Sequence, residues 1–302
     1  MSEIKIFWDP KGFEFDALGT KRYLRATDGD TPYISVPIRM LSIDTPEVHY
    51  PGNRKPSRSD RDLAQLAEWI ASGDAPVSDG LGAHLYPKLA TGAAGTLHEE
   101  QGKQATEKFK ELIEERLTKP SGKRRKVYIR AADQHFDSYG RLLAYMAPNY
   151  SRKERESLAP GELASFNHLM VESGWAAPFI IYPSIPKYPE LVAFQEAAKA
   201  ACENGLGAWA DPMMLTGYEF RMCIRLFNIT KKLVGGRRLA DYEKYGYVSR
   251  FCVDMTTQEI FYPQEYYRVA PYNRVFIWAE DVSDAVATLN LLPAGSHTLT
   301  HS

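Results

Sequence analysis

The feature that most restricts the fold is the order in which hydrophobic periodicity changes along the chain. Residues 12–48 read as short extended pieces. RYLRA and ISVPIRML alternate like half-buried strands around the turn-rich DGDTP, and Pro37 marks an edge or a bulge. Between 99 and 118 the period switches: Ala105, Phe109, Leu112, Ile113 and Leu117 form one apolar stripe, and Pro120 stops the helix. KVYIRAA and GRLLAYM return to strand patterning around the turn DQHFDSY. Leu163, Phe166, Leu169 and Met170 mark a further helix ended by Gly174. LVAFQEAAKAACEN marks another, ended by Gly205 at a left-handed cap position. Strands, helix, strands, helix, helix up to residue 210 are compatible with a small closed β-barrel carrying helices.

Two segments stand outside that order. Residues 49–97 are rich in Pro, Gly, Ser and Asp and read as an irregular insertion. One short helix is expected within it, with Leu63, Leu66, Ala67 and Ile70 on one face, Ser59 as N-cap and Gly73 as stop. LATGAAG reads as a second flexible stretch. After Asp211-Pro212 a second unit is expected. RMCIRLFNI, YVSRFCVDM, EIFYP and NRVFIWA look like strands, and DVSDAVATLNLL like a final helix capped by Asp281 or Ser283. The reading is thus α+β: residues 1–210 as one domain with an insertion at 49–97, and 211–302 as a small α+β domain. The tail SHTLTHS reads as disordered.

Composition sets limits rather than a function. The formal net charge is −1, so contact with nucleic acid has to rest on local patches. No apolar run is long enough for a membrane span, and MSEIKIFWDPKGFEF lacks the apolar region and cleavage site of a signal peptide, so a cytoplasmic protein is expected, with a secreted one as the alternative. Cys202, Cys223 and Cys252 are too few and too scattered for a disulfide framework or a zinc site, and read as reduced thiols.

Chemistry concentrates in Arg39-Met-Leu-Ser-Ile-Asp44-Thr45-Pro46-Glu47, where a strand delivers an arginine and the following turn delivers Asp, Thr and Glu. By itself this is ordinary turn chemistry. DGDT at 28–31 adds carboxylates, and DSYGR at 137–141 adds a second arginine at the start of another strand. Two arginines, two aspartates and a glutamate suit phosphodiester hydrolysis. Oxygen ligands hold a hard cation, arginine forks match phosphate oxygens, and a carboxylate orients or deprotonates water.

In their order along the chain, DGDT, IDTPE, DSYGR and the later Gly205-Leu206-Gly207-Ala208-Trp209 resemble the thermonuclease (staphylococcal nuclease-like) family over about residues 12–210. The resemblance implies a five-stranded OB-like barrel with three helices and calcium-dependent cleavage of DNA or RNA. It implies Asp30 and Asp44 as carboxylate ligands of Ca2+, Thr45 as a carbonyl ligand, and Glu47 as the residue acting on the attacking water. Arg39 and Arg141 would hold the phosphate, Tyr139 would border it, and Tyr182 would contact the base. The alternative is a catalytically silent OB-type module that binds nucleic acid or protein; such copies usually lose one of Arg39, Asp44, Glu47 and Arg141, and all four are present here.

The chain also departs from the family pattern. Asp30 and Arg39 are close in sequence, so the intervening hairpin is short and Asp28 is a second candidate ligand. The insertion, adjacent to Glu47 in sequence, lengthens the interval to Arg141 and stands where it can shape or cover a substrate groove. Ser138 replaces the lysine that often precedes the tyrosine of the YGR motif. His49 and His135 read as solvated loop residues, and His168 and Glu172 as a surface pair on one helix. Residues 217–250 hold eight Lys/Arg against three Asp/Glu, interleaved with Tyr and Phe, which reads either as a phosphate-holding patch or as core aromatics under a solvated basic face.

Overall fold

The computed structural model describes residues 20–50 and 52–295. The expectations for residues 12–19 and for the tail SHTLTHS lie outside the described residues. The strands are β1 (Arg22–Ala26), β2 (Pro32–Ser35), β3 (Ile38–Met40), β4 (Ser42–Asp44), β5 (Val127–Phe136), β6 (Leu142–Pro148), β7 (Ala177–Ile181), β8 (Arg250–Asp254), β9 (Glu259–Phe261), β10 (Arg274–Trp278) and β11 (Leu292–Pro293). The helices are α1 (Asp60–Ser72), α2 (Asp79–Leu89), α3 (Ala94–Leu117), α4 (Arg152–Ser157), α5 (Phe166–Glu172), α6 (Tyr188–Glu203), α7 (Gly217–Val234), α8 (Asp241–Lys244) and α9 (Val282–Leu289). Among the described residues no helix is long and apolar enough to cross a membrane.

Among the described residues the chain divides into two compact units, those up to 39 with 131–144, and those from 40 to 130 with those from 145 onward. In the smaller unit β1 and β2 form an antiparallel hairpin, Arg22 opposite Ser35 and Ala26 opposite Pro32, with every residue of both strands exposed. Strands β3, β6 and β5 form a three-stranded sheet in that order, and the chain passes from one unit to the other within these strands.

The larger unit is built on a six-stranded sheet of order β11-β9-β8-β10-β7-β4. β4 is its edge strand, antiparallel to β7 with Asp44 opposite Ala177, and β7 is parallel to β10. The architecture is therefore α+β as expected, but among the described residues none of the sheets closes into a barrel. The strand that carries Asp44 pairs into a sheet completed by β8–β11.

The same pairing runs across the boundary expected at residue 210. The described residues from 211 onward are in the same unit as those from 40 to 130, and their strands share a sheet with β4 and β7. RMCIRLFNI is not a strand: it lies inside α7, which starts with a capping box in which Thr216 Oγ1 accepts from Glu219 N–H and the Glu219 carboxylate accepts from Thr216 N–H. Phe220, Met222, Cys223, Ile224, Leu226 and Phe227 are buried along α7, so its apolar face is broad and hides the helical period.

The insertion is likewise more ordered than its composition suggests. It contributes α1, ended by Gly73 in the left-handed region as expected, and α2, capped by Ser78. LATGAAG is the tight junction into α3. Leu63 and Leu66 of α1, and Leu81, Leu85 and Leu89 of α2, share one core with Phe220 and Leu226 of α7, Tyr247, Tyr266 and Phe276. Each such side chain contributes about 1.5–3 kcal/mol when fully buried. The insertion and the C-terminal region bury each other's apolar faces. A second cluster joins α3, α5 and α6 through Ala105, Leu112, Phe166, Leu169 and Phe194.

A chain truncated after residue 211 loses one side of the first core and the strands beside β7. It is expected to show no cooperative thermal transition by circular dichroism and to be cleaved rapidly in limited proteolysis. A sharp transition in that fragment would uphold the boundary at 210.

Candidate functional site

The acidic part of the predicted site is assembled in the larger unit. Asn167 donates to the Leu41 carbonyl (2.9 Å) and accepts from Met146 N–H (3.0 Å), which fixes the entry to β4. Ser42 sits in the left-handed region (φ 62) with its hydroxyl against Tyr145 Oη at 2.5 Å. Two residues on, Asp44 ends the strand with its side chain only 2% exposed.

Beyond Pro46 the chain is held by α3. Glu47 N–H donates to His98 Nε2 (3.0 Å), so the proton of that imidazole is on Nδ1, which donates to the Leu215 carbonyl (3.1 Å). The His98 ring stacks on Phe220 with centroids 4.1 Å apart. Gly102 permits the approach: a Cβ there would lie 2.7 Å from the Glu47 carbonyl carbon.

The two carboxylates converge on a residue that the sequence reading passed over. Arg221 of α7 donates Nη2–H to Asp44 Oδ2 (2.8 Å) and Nη1–H to Asp44 Oδ1 (3.2 Å) and to Glu47 Oε1 (2.6 Å). Burial works against the guanidinium charge, but Asp44 and then Glu47 outweigh it and hold Arg221 above the ordinary arginine value. The available signal was an arginine inside an otherwise apolar run, Phe220-Arg221-Met222-Cys223-Ile224, which demands a buried acid as partner.

These positions bear directly on calcium. Both Asp44 oxygens are engaged by a guanidinium, and the first residue of α7 packs on them. A Cβ at Gly217 would lie 2.6 Å from Asp44 Oδ2 and 2.7 Å from the Thr45 carbonyl oxygen. Among the described residues no group of three or more His, Cys, Asp or Glu side chains is arranged to hold a metal ion. In this arrangement Asp44 and Thr45 do not fit a calcium ion, because Arg221 and α7 take up the oxygens that would ligate it.

The remaining predicted residues belong to the smaller unit, Tyr182 excepted. Asp30 is exposed in the β1–β2 turn and accepts from the Thr31 hydroxyl (3.1 Å), and Asp28 is exposed on the same turn. Arg39 lies in β3 and Arg141 just before β6; Leu142 N–H donates to the Pro37 carbonyl (2.8 Å), so both arginines flank one inter-strand hydrogen bond. Asp137 organises the turn. Its carboxylate accepts from the backbone N–H of Tyr139 (2.9 Å) and Arg141 (3.0 Å) and from Arg141 Nε (2.7 Å). Burial alone would raise Asp137, but these bonds from Arg141 hold it below the ordinary carboxylate value. The Arg141 guanidinium lies 5.3 Å from the ring centroid of Tyr139, which is 79% exposed.

Tyr182, expected at the base, is instead a core residue of the larger unit. It is 8% exposed, clusters with Ile180, Val253, Val275 and Ile277, and donates its hydroxyl to Asp284. Its ring has no open face on which a base could stack. His49 is exposed in a loop as expected; His135 is exposed too, but lies in β5 rather than in the turn. Cys202, Cys223 and Cys252 are free thiols.

The chain belongs to the family described as staphylococcal nuclease homologue, whose pattern matches residues 37–211. The class of domain, one that fits a nuclease or a nucleic-acid-binding module, follows from the family. A comparison with curated proteins finds no match. Arg39, Asp44, Glu47 and Arg141 lie inside the matched span; Arg221 lies beyond it.

Two measurements check this site. Arg221→Gln removes this guanidinium from two largely buried carboxylates, and the expected loss is about 3–5 kcal/mol in urea unfolding, partly recovered by Arg221→Lys. A loss below about 1 kcal/mol would be that of a surface pair. Burial also lowers His98 to about 4. The unfolded histidine binds a proton near pH 6.5 and the folded one only near 4, so this stabilisation is complete above about 6.5 and fades as pH falls toward 4, by up to about 3 kcal/mol. The urea midpoint is expected to decline across that window, and His98→Gln to flatten the decline. Equal slopes would assign it to other groups.

Proposed function

We propose that this protein hydrolyses phosphodiester bonds of DNA or RNA. What supports the reading is that Asp44 and Glu47 stand close enough to share one partner, on a chain that keeps Arg39 and Arg141 within the family span. Glu47, fixed by its backbone to His98, would orient or deprotonate the attacking water. Arg39 and Arg141 would hold the phosphate and stabilise the charge that grows in the transition state. Exposed Tyr139 would border the bound nucleotide, and exposed Asp30 would stand as a further carboxylate toward a cation. Calcium, implied by the family resemblance, would have to displace Arg221 to reach Asp44.

A second reading has one observation in its favour. Arg221 neutralises the acids that hydrolysis needs, as expected of a module that binds nucleic acid without cutting it.

A cleavage assay on single- and double-stranded DNA and RNA, with calcium and with chelator, separates the readings. Under the hydrolase reading, Glu47→Gln abolishes turnover and Arg39→Ala or Arg141→Ala lowers kcat by at least about a hundredfold. Activity only with calcium would mean that Arg221 yields its carboxylates to the ion; activity in chelator, that the guanidinium suffices. Binding without cleavage under every condition selects the silent module.

A further inference from the structure

Arg221 does not stand alone. Arg225 lies one turn further along α7, exposed, and forms no ion pair among the described residues. Arg250 opens β8 opposite Trp278 of β10, so the two side chains share one face of the sheet, and its guanidinium lies 3.8 Å from the Trp278 ring centroid. The Phe179 ring lies between two of these cations, 5.9 Å from Arg221 and 5.3 Å from Arg250.

The charge balance on the two sides of that ring differs. Arg221 is neutralised by Asp44 and Glu47. Arg250 meets no carboxylate among the described residues. Its Nε is sealed from solvent without an acceptor, while its terminal nitrogens are neither sealed nor hydrogen-bonded. Burial, opposed by Tyr218 and reinforced by the charges of Arg221 and Arg225, lowers Arg250 to about 10. A half-buried cation beside two others, with open donors and no counter-ion, is a costly arrangement that an anion would complete. The planar fork and the aromatic rings around it favour a phosphate diester over a small carboxylate.

We infer that Arg225 and Arg250, backed by Trp278, form a phosphate subsite beside the Asp44–Glu47–Arg221 cluster that grips a nucleic-acid backbone. The spacing set by the Phe179 ring is short enough for a neighbouring nucleotide of the same strand to reach it. The subsite rests on the proposed action on nucleic acid. It gives the segment beyond residue 211 a role in holding substrate as well as in completing the core.

The test uses the full chain and a short fluorescent single-stranded oligonucleotide with phosphorothioate linkages to slow cutting, its affinity read by anisotropy between roughly 50 and 200 mM salt. Arg225→Gln and Arg250→Met are each expected to weaken binding roughly fivefold and to reduce the slope of log affinity against log salt by about one. Arg250→Lys retains the charge over the indole and is expected to keep most of the affinity. Arg225 is exposed, so its variant folds regardless of Arg250. Unchanged affinity and slope in both neutral variants overturns the subsite, as does a wild type that binds no oligonucleotide. Hydrolysis of a small chromogenic phosphodiester, which has no flanking phosphate, is followed in parallel with the wild type. Wild-type hydrolysis of that ester with no effect of the variants on binding removes the subsite alone. The expected binding changes with no hydrolysis of any substrate remove the hydrolase reading alone.

Discussion

A carboxylate at the end of an edge strand, with 2% of its side chain exposed, cannot stay ionised without a cation against it, and in this protein that cation is Arg221. Much of the larger unit is consistent with meeting that requirement. The capping box at Thr216 starts α7 one residue before Gly217, and the missing side chain of Gly217 lets the helix press on Asp44 and Thr45. Arg221, one turn on, then reaches both acids, with its own charge stabilised by the pair it closes.

The same helix explains why the insertion and the C-terminal region belong together. α7 is apolar around most of its circumference, so it needs partners on several sides. It finds them in α1 and α2 of the insertion and in the sheet that β8 and β10 build beside β7. Glu219, buried within this core, takes His84 (2.8 Å) and Lys88 (3.3 Å) of α2 and the Tyr266 hydroxyl (3.1 Å); despite its burial, Lys88 and then His84 hold it well below the ordinary glutamate value. A polar link of that kind is satisfied only when both segments are in place. The glutamate near the predicted chemistry is thus held indirectly by residues far away in sequence: His98 binds its backbone, Phe220 stacks on His98, and the core around α7 positions Phe220.

Local signals were legible where one residue decides a conformation. Gly73, Gly174 and Gly205 end helices in the left-handed region, and the apolar stripe of α3 lies where its period predicts. Asp44, Glu47, Arg39 and Arg141 could be picked out because an unusual mixture of charges sits at strand ends. Tyr182 could not be excluded from sequence: whether a tyrosine ring faces solvent or packs among Ile180, Val253 and Val275 depends on strands far along the chain, β8 and β10. RMCIRLFNI misled because a helix buried on most sides loses the periodicity by which helices are recognised.

The sequence by itself determined the family and the α+β class, since these follow from short motifs and local turn chemistry. Only the tertiary structure decided what the candidate site residues face. It makes β4 the edge of a six-stranded sheet and closes the core of the larger unit with the segment after 211. It also sets a guanidinium from that segment on the acids for which a metal was expected. The physical reason is that charge compensation depends on proximity in space, and Asp44 and Arg221 are brought together by a core that no local stretch of chain encodes.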